Sequence, residues 1–137
     1  MENAEYPKEQ IMSAGIVNLH HVNVTVPREL EHAAKDFYSV RLGLEEVPKP
    51  EGSRSRGGAW YQLGSVQLHL SLEGGMDEHL SSRHICFVVE NLQHAQDHLS
   101  SVGVEILPDT RPVAGTRRFY IRDPGGNLIE IAERKPD

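Results

Sequence analysis

The chain has 137 residues, enough for one domain with a sizeable core, and its formal charge of −6, from 14 Lys and Arg against 20 Asp and Glu, argues against a nucleic-acid surface. A single cysteine, Cys86, excludes an internal disulfide framework and fits a reducing compartment, and no apolar run is long enough to read as a membrane span or a secretion signal. A cytoplasmic location and a small-molecule partner are expected, and eight histidines turn attention to metal or acid–base chemistry.

Residues 1–15 are polar and acidic and read as a loosely attached tail. From Val17 to Val26 the pattern predicts a strand with Val22, Val24 and Val26 on one face and His21, Asn23 and Thr25 on the other, ended by Pro27. Leu30, Ala33, Ala34, Phe37, Tyr38 and Leu42 then recur at helical spacing up to Gly43, a C-cap. Residues 44–58 hold a short strand and a loop rich in Pro, Gly, Ser and Arg. Ala59 to Leu63 and Val66 to Leu72 read as a hairpin around Gly64-Ser65, with Gln67, His69 and Ser71 opposite its aliphatic face.

The same order then begins again. Arg83 to Val89 is a strand with Ile85, Phe87 and Val89 opposite His84, Cys86 and Val88, and a helix follows from Leu92 to Gly103. A short strand near Glu105 to Leu107 leads to a closing hairpin, Phe119 to Ile121 and Leu128 to Ala132, turned by Asp123-Pro124-Gly125-Gly126-Asn127. Glu130 lies on its last strand, with Ile129 and Ile131 on the other face. The halves align residue by residue, His21 onto His84 and Gly64…His69 onto Gly125…Glu130, so the chain is an internal repeat.

Equivalent positions in two copies of a curved sheet converge on a shared cavity, and His21, His69, His84 and Glu130 are such positions. Three imidazoles and one carboxylate suit zinc or a divalent transition metal and leave room for substrate and water. Taken singly, each has a plainer reading as a solvated or hydrogen-bonded residue; Gln67 faces the same way as His69 and is an alternative ligand. His94 and His98 stand one helical turn apart but without an intervening glutamate, and read as surface residues.

The motifs Leu19-His20-His21-Val22, Phe37-Tyr38…Leu42-Gly43-Leu44, Arg83-His84-Ile85-Cys86-Phe87 and Asp123-Pro124-Gly125-Gly126-Asn127-Leu128-Ile129-Glu130 resemble the vicinal oxygen chelate superfamily, the glyoxalase, bleomycin-resistance and extradiol-dioxygenase group, over about residues 17–133. The resemblance implies an α+β fold in which two βαβββ modules, about 16–75 and 80–134 within a single domain 16–134, form a curved mixed sheet around a metal-binding cup. It also implies one divalent metal (Ni, Co, Zn, Mn or Fe) and a homodimer. Glyoxalase I resembles this chain in its four strand ligands, yet its glutathione contacts correspond here to Thr25 and Glu73. The fosfomycin-resistance transferases share the set His21, His84 and Glu130 but have threonine where Asn23 stands. Extradiol dioxygenases share the run from Tyr120 to Glu130 but lack a match for their catalytic histidine in the window of Arg111, Pro112 and Val113.

A Lewis acid in such a cup polarises a carbonyl while a carboxylate moves a proton between adjacent carbons. Glu130 is the candidate base, and Tyr120 a candidate hydrogen-bond donor to substrate. Arg118 and Arg122 alternate with Tyr120 and read as exposed strand residues or carboxylate binders; Arg54 and Arg56 read as solvated or as a lid over an anion. The expected activity is that of a glyoxalase-like lyase or isomerase on a small carbonyl compound. The alternatives are an extradiol-type dioxygenase and a bleomycin-resistance-like binding protein.

Overall fold

The structure, a computed structural model, describes residues 15–74 and 82–135. The predicted tail, Gly15 apart, lies outside the described residues. The first module runs β1 (His21–Pro27), a 3-10 turn, α1 (Glu31–Asp36), a π turn (Phe37–Arg41), β2 (Glu45–Val47), a 3-10 turn (Glu51–Arg56), β3 (Ala59–Leu63) and β4 (Val66–Glu73). The second runs β5 (His84–Val89), α2 (Leu92–Ser101), β6 (Leu107–Pro108), β7 (Arg118–Arg122) and β8 (Leu128–Glu133). Among the described residues no helix is long and apolar enough to cross a membrane.

Each module builds its own four-stranded mixed sheet, in the order β1-β4-β3-β2 and β5-β8-β7-β6. The registers match the repeat. His21 is level with Gln67 across the parallel pair β1 and β4, and His84 is level with Leu128 across β5 and β8. His69 thus stands opposite Asn23 where Glu130 stands opposite Cys86. Tyr120 pairs with Glu130 as Trp60 pairs with His69.

Alternation sends the aliphatic faces inward, where Val26, Leu68, Leu70, Ile121 and Ile129 are fully buried in a core shared by both modules. A polar knot fastens the modules together. Asp123 is buried, and its carboxylate accepts from the Tyr38 hydroxyl at 2.7 Å, from the backbone N–H groups of Gly125 and Asn127, and from the Asn127 side chain. Asn127 Nδ2 also donates to the Thr25 carbonyl at 2.9 Å, across to β1. Gly125 is required at this crossing, because a Cβ there would stand 2.6 Å from Val26 Cγ1.

Two elements differ from the sequence reading. The first strand begins at His21, not Val17: β4 starts at Val66 level with the chain near His20, so residues 16–20 have no strand beside them among the described residues. The first helix widens into a π turn after Asp36, with Leu42 N–H donating to Phe37 O, and this turn holds both Phe37 and Tyr38 in the core. Gly43, at φ +73°, terminates it as expected.

Candidate functional site

The polar face of each sheet carries one pair of the candidate residues. On the first, His21 and His69 stack with ring centroids 4.1 Å apart, and Trp60 of β3 stacks on His69 at 3.8 Å with the planes 2° from parallel. Since β4 lies between β1 and β3, His69 is the middle ring of three, and it is buried. Its Nε2 lies 2.8 Å from Gln67 Oε1. The Gln67 amide is oriented by donation to Gln62 Oε1, and Gln62 donates in turn to Gly64 O, so His69 Nε2 is the donor and Nδ1 keeps the lone pair. Burial lowers the pKa of His69, and the neighbouring His21, His20 and Lys49 lower it further, which keeps the imidazole neutral and able to ligate. His21 is exposed, with Nδ1 2.9 Å from His20 Nδ1.

On the second face, His84 Nε2 lies 3.1 Å from Glu130 Oε1, and the edge of Tyr120 meets the His84 ring at a centroid distance of 5.9 Å. Glu130 is buried, so the strand carboxylate is not an exposed one. Arg118 reaches it from the other side, with Nη1 3.6 Å from Oε2. The same guanidinium donates through Nε to Asp109 at 2.9 Å and lies over the Tyr120 ring. The hydrogen bond between them raises the pKa of Arg118 and lowers that of Asp109. Burial, with the Glu130 charge second, raises the Tyr120 pKa; the same two causes push the Cys86 thiol up to about 11.

The structure therefore joins His21 to His69 and His84 to Glu130 and Tyr120. Among the described residues, no three His, Cys, Asp or Glu side chains gather around one point in a single chain.

The model of the glyoxalase/bleomycin resistance protein/dioxygenase superfamily matches residues 18–131. The chain belongs to this superfamily. A glyoxalase family protein of Bacillus anthracis shares 34% identity with a TM-score of 0.80, over 88% of this chain and 97% of that one. An integron cassette protein from the mobile metagenome of Vibrio cholerae shares 27% with a TM-score of 0.65, over 88% and 97%. The glyoxalase domain-containing protein RDO1 of Mycosarcoma maydis is 26% identical over 140 residues, 94% of this chain and 75% of the relative.

This glyoxalase-superfamily chain carries two site residues that sequence reasoning passed over, Trp60 and Asp109, and gives Arg118 a protein carboxylate as its partner. Trp60 covers His69, and Asp109 positions Arg118, which holds Glu130. The repeat contained a signal for the first, since Trp60 occupies in module one the place of Tyr120 in module two. Arg122 turns back to donate to the Gly126 carbonyl, while His94 and His98 are exposed on α2, as expected.

Proposed function

We propose that the protein is a metal-dependent, glyoxalase-like lyase or isomerase of a small carbonyl compound, whose centre combines His21 and His69 of one chain with His84 and Glu130 of a second copy. The observation that carries this reading is the pairing of repeat-equivalent donors on the two polar faces, with His84 against Glu130 and His21 against His69. The donor set fits a divalent ion, three imidazoles including a neutral His69 and one carboxylate already oriented by Arg118. A second copy is supported by the sheet edges. Among the described residues β1 and β5 are both edge strands; Val88 on β5 is 65% exposed, and Ile16 and Val17 ahead of β1 are 86% and 78% exposed. Joining the β1 edge of one chain to the β5 edge of its twofold mate brings the two donor pairs together twice in the dimer.

A divalent ion held there supplies Lewis-acid polarisation of a carbonyl and stabilises enolate charge. The protein's own groups handle the proton. Glu130, freed from His84, removes the proton from the carbon beside the carbonyl and returns it to the neighbouring atom. Arg118 keeps that carboxylate aimed, and Tyr120, held protonated, donates to a substrate oxygen.

Protein purified without a His tag is expected to hold about one divalent metal per chain, and His84→Ala and Glu130→Ala each to lose most of it. Full metal content in both variants would overturn the centre. The metal-bearing protein is expected to exchange the proton beside a carbonyl in D₂O without consuming oxygen. Catechol-dependent oxygen uptake would favour the extradiol alternative, and silence in both assays a binding protein.

A further inference from the structure

A cavity of about 580 Å³ opens on the polar face of the first sheet beside His69. Its wall carries Arg28 from the turn after β1, Lys49 from the β2–β3 connection, and Arg56 with Ser53 from the second 3-10 turn, while Trp60 and His69 form its inner end. Among the described residues three cations and no acid line this cavity, in a chain whose acids outnumber its Lys and Arg by 20 to 14. The local sign is thus the reverse of the chain's.

The cations are also available. Among the described residues neither the Arg28 nor the Arg56 guanidinium has a carboxylate partner, whereas Arg41, Arg117, Arg118 and Arg134 all do. Arg54, between Ser53 and Ser55, is directed elsewhere, donating to the Lys49 carbonyl. Lys49 donates to the Gly57 carbonyl and is close enough to His69 to act on its charge. The carboxylate behind the wall, Glu31, is occupied by the Gly58 N–H at 2.8 Å. Unpaired guanidiniums around a concave, partly apolar pocket are what a bound oxyanion requires, because each gives a charge-assisted hydrogen bond where water is partly excluded.

We infer that this cavity is an oxyanion-binding site, in which Arg28, Lys49 and Arg56 hold the carboxylate or phosphate end of the substrate so that its other end meets His69. The placement of a carbonyl at that other end rests on the proposed function; the anion site itself does not. Substrates are then small anionic oxo compounds, 2-oxo acids or their phosphorylated relatives, in preference to neutral aldehydes.

Trp60 is the chain's single tryptophan and lines the cavity, so its fluorescence reports occupancy. The full-length protein would be titrated at fixed ionic strength with pyruvate, inorganic phosphate and neutral methyl pyruvate, with and without EDTA. A saturable change with pyruvate or phosphate is expected, the stronger arm naming the oxyanion, with no saturation by methyl pyruvate and no effect of EDTA. Arg28→Gln and Arg56→Gln are each expected to weaken binding about tenfold, the loss of one charge-assisted hydrogen bond, with unchanged thermal midpoints. The inference is overturned if neither anion saturates, if the neutral ester matches pyruvate, or if both variants keep wild-type affinity. Abolition by EDTA also overturns it, by assigning the anion to a metal. Failure of the metal reading would appear separately, as absent metal with anion binding intact.

Discussion

A shared centre makes a quantitative prediction about mixed dimers. His21→Ala breaks the first module's half and His84→Ala the second's; both residues are exposed, so both variants are expected to fold. A homodimer of either variant has two broken sites. In a mixed dimer, one site pairs the two broken halves and the other pairs the two intact halves, so one of its two sites is whole. Random re-pairing of equal amounts makes about half the dimers mixed, and about one quarter of all sites are restored. A centre built within one chain restores none, because every chain carries one lesion. The assay is metal content and proton exchange of the two variants, before and after unfolding and refolding together, with mixed dimers verified by two distinguishable tags. Metal and activity staying at the level of the separate variants, with mixed dimers present, would refute the shared centre.

Tyr38→Phe removes one of the hydrogen bonds to the buried Asp123 carboxylate and is expected to cost about 2 kcal/mol, roughly 5–8 °C in Tm. Tyr61→Phe, which loses a hydroxyl-to-hydroxyl contact with Ser39, should cost about half as much; equal costs in thermal unfolding would contradict the role given to the charge. Alkylation of Cys86 by iodoacetamide is expected to rise with pH toward a midpoint near 11, and Glu130→Gln to lower that midpoint by removing a negative neighbour; an ordinary thiol profile in both would show that burial and charge do not act there. His69 binds its proton more weakly folded than unfolded. As pH falls through the ordinary histidine range the unfolded chain therefore takes up the proton first, and stability is lost on acidification; by NMR, Lys49→Gln should move the His69 midpoint up. An unchanged His69 midpoint in that variant counts against the assigned neighbour.

Most of the fold was legible because the repeat is written in alternation. Val22-Val24-Val26 and Ile85-Phe87-Val89 mark the inward faces of equivalent strands, and the spacing of His69 and Glu130 from their turns sets the same register twice. What escaped was set by contacts between elements. Arg118 looks on a strand like a solvated cation, and only the β6–β7 connection, which delivers Asp109, turns it inward against Glu130. The end of α1 reads as ordinary helix, while the packing of Tyr38 against Asp123, 85 residues on, accompanies a wider turn. Arg56 and Arg54 were indistinguishable by composition; the 3-10 turn sends the first to the cavity and the second to a backbone carbonyl.

The two modules have kept the same geometry and exchanged its chemistry. Where the second has Tyr120, Glu130 and a charge-bearing Arg118, the first has Trp60, a neutral His69 and three cations along the adjoining wall. On the proposed reading this division has a physical reason. A carboxylate in place of His69 would stand beside Arg28, Lys49 and Arg56, pairing with them and repelling an incoming anion at a distance where water screens poorly. Placing the base on the opposite module, held by its own arginine, keeps the anion pocket open and the carboxylate positioned until the two faces meet. The same logic predicts that His69→Glu lowers affinity for pyruvate in the Trp60 titration even though glutamate is itself a competent metal ligand. Undiminished pyruvate binding in that variant would show that the two functions were never in conflict, and that the asymmetry between the modules has another cause.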